Sequence, residues 1–395
     1  SAEVECTFRV SGKVPELWHA DSGTIEVAPV WSERDGRITV PIHFDPAGSV
    51  FVVFRPAAAG DHVVDVTPSK ADEVELAPKI EIRAARYEAV DGAGGADVTA
   101  KVAALVAAGE TSIPANNSTF GDPTYNHVKR LRVEYALNGQ VVTRSADENA
   151  TLELVEAAGG AASLPTYRVT VTKPGQLELQ AFHPGVYEFR AASGKTTPVQ
   201  VPPVPEPVEI GGPWTVRFPP DWGAPASITL DKLISWTEHG EAGVRYFSGT
   251  AEYEREFDVP AVLLAPDKAL YLDLGDVKYL AEVTLNGHDL GVWWKPPFAA
   301  EITDCVQPGP NTLKVRVTNL WVNRLVGDEQ LPDDCEWEGV HLKRWPQWLL
   351  DGQAPRARER FTFTTWKHHT RDSLLPESGL LGPVMLRVAE RVTIK

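Results

Sequence analysis

Residues 283–298 read VTLNGHDLGVWWKPPF. The first half is two apolar runs hinged on Asn286-Gly287, the dipeptide that best tolerates the positive φ of a tight two-residue hairpin. That predicts an antiparallel sheet. The second half leaves this grammar: two tryptophans, a lysine and two prolines follow at once, although a paired central strand rejects prolines because they cannot donate to its ladder. Trp293 and Trp294 cannot share a strand face. One is expected to pack inward, and the other to be displayed from a rim loop that Pro296 and Pro297 create by ending the pairing.

The same hairpin grammar recurs outward from this stretch. Residues 37–54, RITVPIHFDPAGSVFVVF, alternate apolar and polar, turn at Asp45-Pro46 with Gly48, and continue as an apolar run, which predicts a hairpin in a sandwich core. Residues 128–143 repeat it around Asn138-Gly139, and 166–190 have turns at Pro174-Gly175 and Pro184-Gly185. Strands are expected at 250–258, 269–275, 281–285, 312–318 and 383–394, with helical period at 341–350. The Ala/Val stretch after Lys79–Glu88, in DGAGGADVTAKVAALVAAGE, is compatible with a short helix or a strand. PVQVPPVPEPVEIGGP, 198–213, reads as a semi-rigid spacer or strap, and the main boundary falls there. Short strands at this spacing predict an all-β chain of several antiparallel sandwich modules, the last a jelly roll.

A length of 395 residues fits two to four modules. The formal charge of −16, from 38 basic and 54 acidic residues, repels phosphates, which excludes nucleic acid and anionic lipid as main partners. No run of ~18 apolar residues suggests a membrane span, and SAEVECTFRV lacks the features of a signal peptide. With Met385 the single methionine, the N-terminus is expected to be a processed or truncated end, and the chain part of a longer protein. Cys6, Cys305 and Cys335 have neither zinc nor CxxC spacing, and a Cys305–Cys335 disulfide is weighed against buried free thiols.

Most motifs of chemistry fail. ASGKTT lacks the leading glycine of a phosphate loop, since Phe189 occupies that position, and GxSxG, HExxH and EF-hand spacings are absent. His368 and His369 are adjacent and point to opposite faces of an extended strand. No metal site is assigned. The acidic run DEQLPDDCEWE, 328–338, has carboxylates for glycoside hydrolysis, with Glu329 and Glu338 the catalytic candidates. Solvated loop carboxylates or calcium ligands are the bland alternative, as a plain turn is for DGAGGAD at 91–97.

Ten of the twelve tryptophans lie at or beyond Trp214. Trp293, Trp294, Trp321, Trp337, Trp345, Trp348 and Trp366 cluster in sequence around Lys295, Asn323, Arg324, Asp328, Glu329, His341, Arg344, Lys367 and His368. A pyranose has an apolar C–H face and a hydroxyl rim, which an indole with charged or amide groups at its edge matches on both surfaces. From this set Trp293, Trp294, Lys295, Trp321, Asn323, Arg324, Asp328, Glu329, Trp337, His341 and Trp345 are the sugar-binding candidates. Tryptophans that fill sandwich cores or plug an interface are the competing reading.

SGTAEYEREFDVP (248–260), LDLGDVKYLAEVTLNGHDLGVWWKPPFAAEIT (272–303), PGPNTLKVRVTNLW (308–321) and SGLLGPVMLRV (378–388) resemble, in that order, the galactose-binding-like jelly roll of family 2 glycoside hydrolases, the β-galactosidase and β-glucuronidase group. GGPWTVRFPPDWGAP, LISWTEHGEAGVRYFSGTA, NRLVGDEQLP and, near the start, FRVSGKVPELWHADSG and GSVFVVFR resemble the C-terminal region of family 106, the α-L-rhamnosidases. The long insertion 331–377 departs from the family 2 pattern. The resemblance implies the non-catalytic tail of a secreted or periplasmic bacterial enzyme acting on plant or microbial polysaccharide. Its (β/α)₈ barrel is not expected in this chain, where eight strand-helix alternations are lacking. Implied partners are a glycan and that barrel, with Asp328 and Glu329 as a wall of its active site. The expected modules are 1–76 with 151–207 as one sandwich, 77–150 inserted and mostly β, and 208–395 as the jelly roll. Rival readings are a self-sufficient glycosidase using 328–338 and a purely structural brace. No cofactor is expected, calcium being the one candidate.

Overall fold

The computed structural model describes the chain except residues 57–59, 70–78, 91, 138–139, 155–163, 174, 334, 354–359, 363 and 395, and describes the backbone alone at 140–141. It is an all-β protein of antiparallel sheets, with no closed barrel among the described residues. Two compact units are present: Ser1–Ala71 with Ala161–Lys395, and Asp72–Gly160.

In the first unit the N-terminal strands form a small sandwich. Arg37–Phe44 pairs with Ala2–Phe8 and Ser32–Arg34 in one sheet, while Val14–Trp18 pairs with Ile25–Val27 and Phe51–Arg55 in the other. Ile38, Val40 and Ile42 face inward at alternate positions against Trp31 and Leu17. Residues 37–54 are therefore not the hairpin that the alternation predicts. The turn at Asp45, closed by Gly48 N–H on the Asp45 carbonyl at 2.8 Å, carries the chain from one sheet to the other, because both apolar faces must meet in one core.

The corner at Pro184-Gly185 does the same. Gln176–Ala181 pairs with Tyr167–Lys173, but Gly185–Ala191 joins Thr196–Val201 and Val63–Pro68. Tyr187 and Phe189 fill the space between the sheets with Leu179 and Val201. Thr196–Val201 is an edge strand, where Pro198 needs no ladder donor. Val208–Glu209 then straps onto Met385 and Leu386. The proline-rich segment does not separate two sheets: Tyr167–Lys173, Gln176–Ala181, Met385–Ile394, Lys268–Asp273 and Ala299–Glu301 form one continuous sheet across it.

The last module packs that sheet against a second one ordered Ser227–Leu230, Trp214–Arg217, Thr250–Val259, Gly309–Thr318, Leu280–Leu285, His288–Trp293. Its core holds Trp214, Trp236, Tyr253 and alternate residues of every strand, among them Ala281, Val283 and Leu285. The expected strands at 250–258, 269–275, 281–285, 312–318 and 383–394 are all present within a few residues. The hairpin turns with Asn286 at φ 51° and Gly287 at φ 81°. Helical period at 341–350 misleads, for His341–Arg344 is a strand and only Gln347–Leu350 turns helical.

In the second unit, Lys129–Leu137 pairs with Gln140–Asp147 and with Ile80–Ala89, and Thr99–Ala107 is the helix that the Ala/Val stretch left open. Leu131, Val133, Tyr135 and Val102 share its core. The expected turn residues Asn138-Gly139 and Pro174 lie outside the described residues. All three cysteines are thiols, so Cys305 and Cys335 are not bridged. Among the described residues no helix is long and apolar enough to cross a membrane.

Candidate functional site

The sequence candidates fall into three places. The first is the rim of the last sandwich. Trp293 packs against the core and donates its Nε1–H to the Leu290 carbonyl at 3.0 Å, while Trp294, one residue on, is 51% exposed. Lys295 lies 5.9 Å over the Trp294 ring and bonds Asp21 at 3.0 Å. Trp321, 66% exposed, sits where the neighbouring strand Gly309–Thr318 has ended, with Leu280, Tyr279 and Leu320 also exposed at this end of the sheet.

The second place is the short helix Val322–Asp328, and its candidates are turned inward. Asn323 donates to the Ser378 hydroxyl and the Pro376 carbonyl at 2.7 and 2.9 Å. Arg324 lies against the Phe361 ring and pairs with Asp328 at 2.9 Å, and burial pulls its guanidinium below its ordinary value against the opposing pull of Asp328. Asp328, fully buried, accepts the Phe361 N–H, the Thr362 N–H and the Thr362 hydroxyl at 2.9, 2.6 and 2.6 Å. A carboxylate with that many donors is a structural anchor. These three side chains clamp the segment that follows and present no polar group to solvent. That segment is also held by the buried Arg360, which bonds Glu329 and, at 3.2 Å, Asp333. Trp222 stacks on Phe361.

The third place is the lobe so clamped. Glu336–Glu338 and His341–Arg344 form a hairpin, and His341 bridges in turn to Trp366. Directly opposed residues of an antiparallel pair share a face, so Glu338, His341 and Trp366 lie in one row across three segments. His341 meets Trp366 edge-on, with centroids 4.1 Å apart at 88°, and Trp366 is 40% exposed. Trp337 faces the other way, under Lys367 at 4.8 Å. Trp345 is 43% exposed. His369 lines a shallow cleft with Leu325, Glu329, Arg360, Thr362 and Thr364.

Trp366 and Lys367 are therefore central, although they are not among the assigned candidates; WKHH was the signal, but its partner His341 is 25 positions away. Phe361, Arg360 and Trp222 carry no sequence signal for their clamping role, because it arises only when the chain returns to Asp328. Glu329 is held in an ion pair with Arg360, and Glu338 stands on the exposed hairpin. Among the described residues no group of three or more His, Cys, Asp or Glu is placed to hold a metal ion.

Fold and site together define a multi-sandwich, all-β chain that presents indole and imidazole rings from a clamped, irregular lobe. Such a chain is related to glycoside hydrolases. It is 32% identical to a curated protein of Formosa agariphila named "Putative beta-glucuronidase", over 98% of this chain and 41% of that protein. It thus spans about two-fifths of the length of the curated relative it matches. Among solved structures it is similar to a rhamnosidase from Novosphingobium sp. PP1Y, with 25% identity and a TM-score of 0.51 over 98% of this chain and 21% of that one. A β-glucuronidase from an uncultured Clostridium sp. is 20% identical, with a TM-score of 0.29 over 47% of this chain and 29% of the other. No protein-family model matches the chain.

Proposed function

We propose that this chain is the carbohydrate-binding, non-catalytic accessory region of a secreted or periplasmic glycoside hydrolase of the family 106, rhamnosidase-like kind, its last module a galactose-binding-like jelly roll. One observation carries the reading: Trp366, half exposed with His341 at its edge, stands on a lobe whose clamp ends in the buried Asp328. A flat ring with polar groups at its margin, held rigidly, suits one face of a pyranose. Likeness to proteins named for glucuronidase and rhamnosidase activity supports a glycan as the ligand and a polysaccharide as the enzyme's substrate.

The test is a glycan-array screen of the chain as it stands, with reducing-sugar release followed on every glycan that binds. Binding without release, lost in Trp366→Ala, is the expected result. Release that disappears in Glu329→Gln or Glu338→Gln would instead make the chain a self-sufficient glycosidase. A second reading, a brace for a catalytic barrel elsewhere in a longer protein, is favoured by the exposed apolar rim of Leu280, Val292, Trp294, Leu320 and Trp321. Silence on every glycan would leave that reading alone.

A further inference from the structure

The N-terminal sandwich carries an exposed apolar row of its own, apart from the tryptophans of the last module. In its three-stranded sheet, Trp18 is paired with Ile25 on one side and with Phe51 on the other. Directly opposed residues share a face, so Ile25, Trp18 and Phe51 form one row across the sheet. Leu17 and Val52, one position along, pack into the core, which puts the row on the outer face. It is open there: Ile25 is 57% and Phe51 65% exposed. Adjoining apolar side chains left bare on a sheet face mark a contact surface.

The row is held in place by groups that also cancel in charge. Trp18 donates its Nε1–H to Glu16 at 2.9 Å, and Arg55 donates to the same carboxylate at 3.2 Å. The Arg55 guanidinium lies over the indole, 5.5 Å from the ring centroid. The indole is thereby fixed and partly roofed, and Phe51 and Ile25 are the open apolar surfaces on its two sides. Their strands stand two spacings apart, about 10 Å. His19 and Asp21, next along the chain, are paired in turn with Glu26 at 2.9 Å and Lys295 at 3.0 Å.

Size and charge choose the occupant. The face is built from strands of 3, 5 and 5 residues with every second side chain outward, whereas a stable protein interface takes about 20 residues a side. A second copy would also bring one formal charge of −16 against another, across a patch whose own charges are already paired. A small uncharged ligand with flat apolar faces fits instead. We propose that the Ile25–Trp18–Phe51 row binds an uncharged, ribbon-like polysaccharide, a β-1,4-linked glucan or xylan. One sugar ring stacks on Phe51, the next but one rests on Ile25, and Arg55 N–H groups meet the hydroxyls of the ring between them. Successive rings of such a chain are turned over, so every second ring offers the same face, at the separation of the two outer strands. A helical α-linked chain cannot lay two rings flat on one row. This site is distinct from the Trp366 lobe and does not depend on it.

Isothermal titration of the intact chain with cellohexaose, xylohexaose and, as the helical control, maltohexaose decides it. Cellohexaose or xylohexaose is expected to bind, and maltohexaose to bind at least about tenfold more weakly. Phe51→Ala, at an exposed position, is expected to weaken that binding about tenfold without changing the melting temperature, and Phe51→Tyr to restore it. Trp366→Ala is expected to leave it unchanged. Binding that is lost in Trp366→Ala and untouched in Phe51→Ala belongs to the lobe; it overturns the inference while the glycan-binding reading of the lobe stands. Equal affinity for maltohexaose overturns it as well, and so does a dimer in light scattering that Phe51→Ala dissociates, which would make the face a protein contact. Silence toward all three oligosaccharides also overturns it, and the glycan array then tests the lobe by itself.

Discussion

Asp328 anchors the returning chain at Phe361 and Thr362. Its two oxygens take three protein donors and the Arg324 guanidinium, and both charges are buried, so removing one partner strands the other. Asp328→Ala is expected to cost about 3–5 kcal/mol, read as a lower calorimetric transition and faster proteolysis within 331–377. The adjacent tryptophans make a contrast. Trp293→Ala removes an indole packed on the core and should lose much of the about 3–5 kcal/mol typical of a buried aromatic, whereas Trp294→Ala, on the solvent side, should leave the melting temperature nearly unchanged. Two titrating pairs add a pH dependence. The bond to Glu26 raises the His19 imidazole above its ordinary value, against the effect of burial; the bond to Lys295 lowers the Asp21 carboxyl. His19, raised on folding, contributes its stability in full below the unfolded imidazole value and loses it as pH rises through the folded one. Asp21, lowered on folding, contributes above the ordinary carboxylate value and loses it as pH falls through its lowered one. His19→Gln is therefore expected to lower the melting temperature most near pH 5 and hardly at about pH 8, which flattens the profile between about pH 6 and 8.

Among the elements, the 283–293 hairpin shows local chemistry and tertiary context agreeing. Asn286 takes the left-handed conformation that its residue type tolerates, and its side chain donates to the Cys305 carbonyl and Asn311 while accepting the Thr312 N–H. Asn286→Ala strains the turn and leaves these neighbours unpaired. A loss of about 1–3 kcal/mol is expected by denaturant titration, with Asn286→Gly losing less because it keeps the backbone freedom. Other elements needed the partner to be known. The alternation in 37–54 is real, but alternation cannot say whether two consecutive strands pair with each other or face each other across a core. The apolar spacing of 341–350 fits a helix by period, yet three rows of pairing with 336–338 and 365–366 hold its first half extended.

At the scale of the whole molecule, strand Val63–Pro68 pairs with Gly185–Ala191, tying the chain before the 72–160 unit to the chain after it. We propose on that basis that 1–76 and 151–207 act as one module with 77–150 inserted. Limited proteolysis within 77–150 should leave the two flanking fragments co-eluting on gel filtration under native conditions; a released 151–395 piece would refute it. Composition and local grammar alone determined that the chain is all-β, that its strands are short and antiparallel, and that the tryptophans concentrate in the last part of the chain, because turn chemistry and side-chain period act between near neighbours. The rest was decided by tertiary structure. Which of Trp293 and Trp294 is shown, why Arg324 and Asp328 are a clamp, and how His341 comes to the edge of Trp366 all depend on contacts between residues tens of positions apart. Such contacts form only when buried apolar faces have chosen their partners, and a one-dimensional pattern carries no record of that choice.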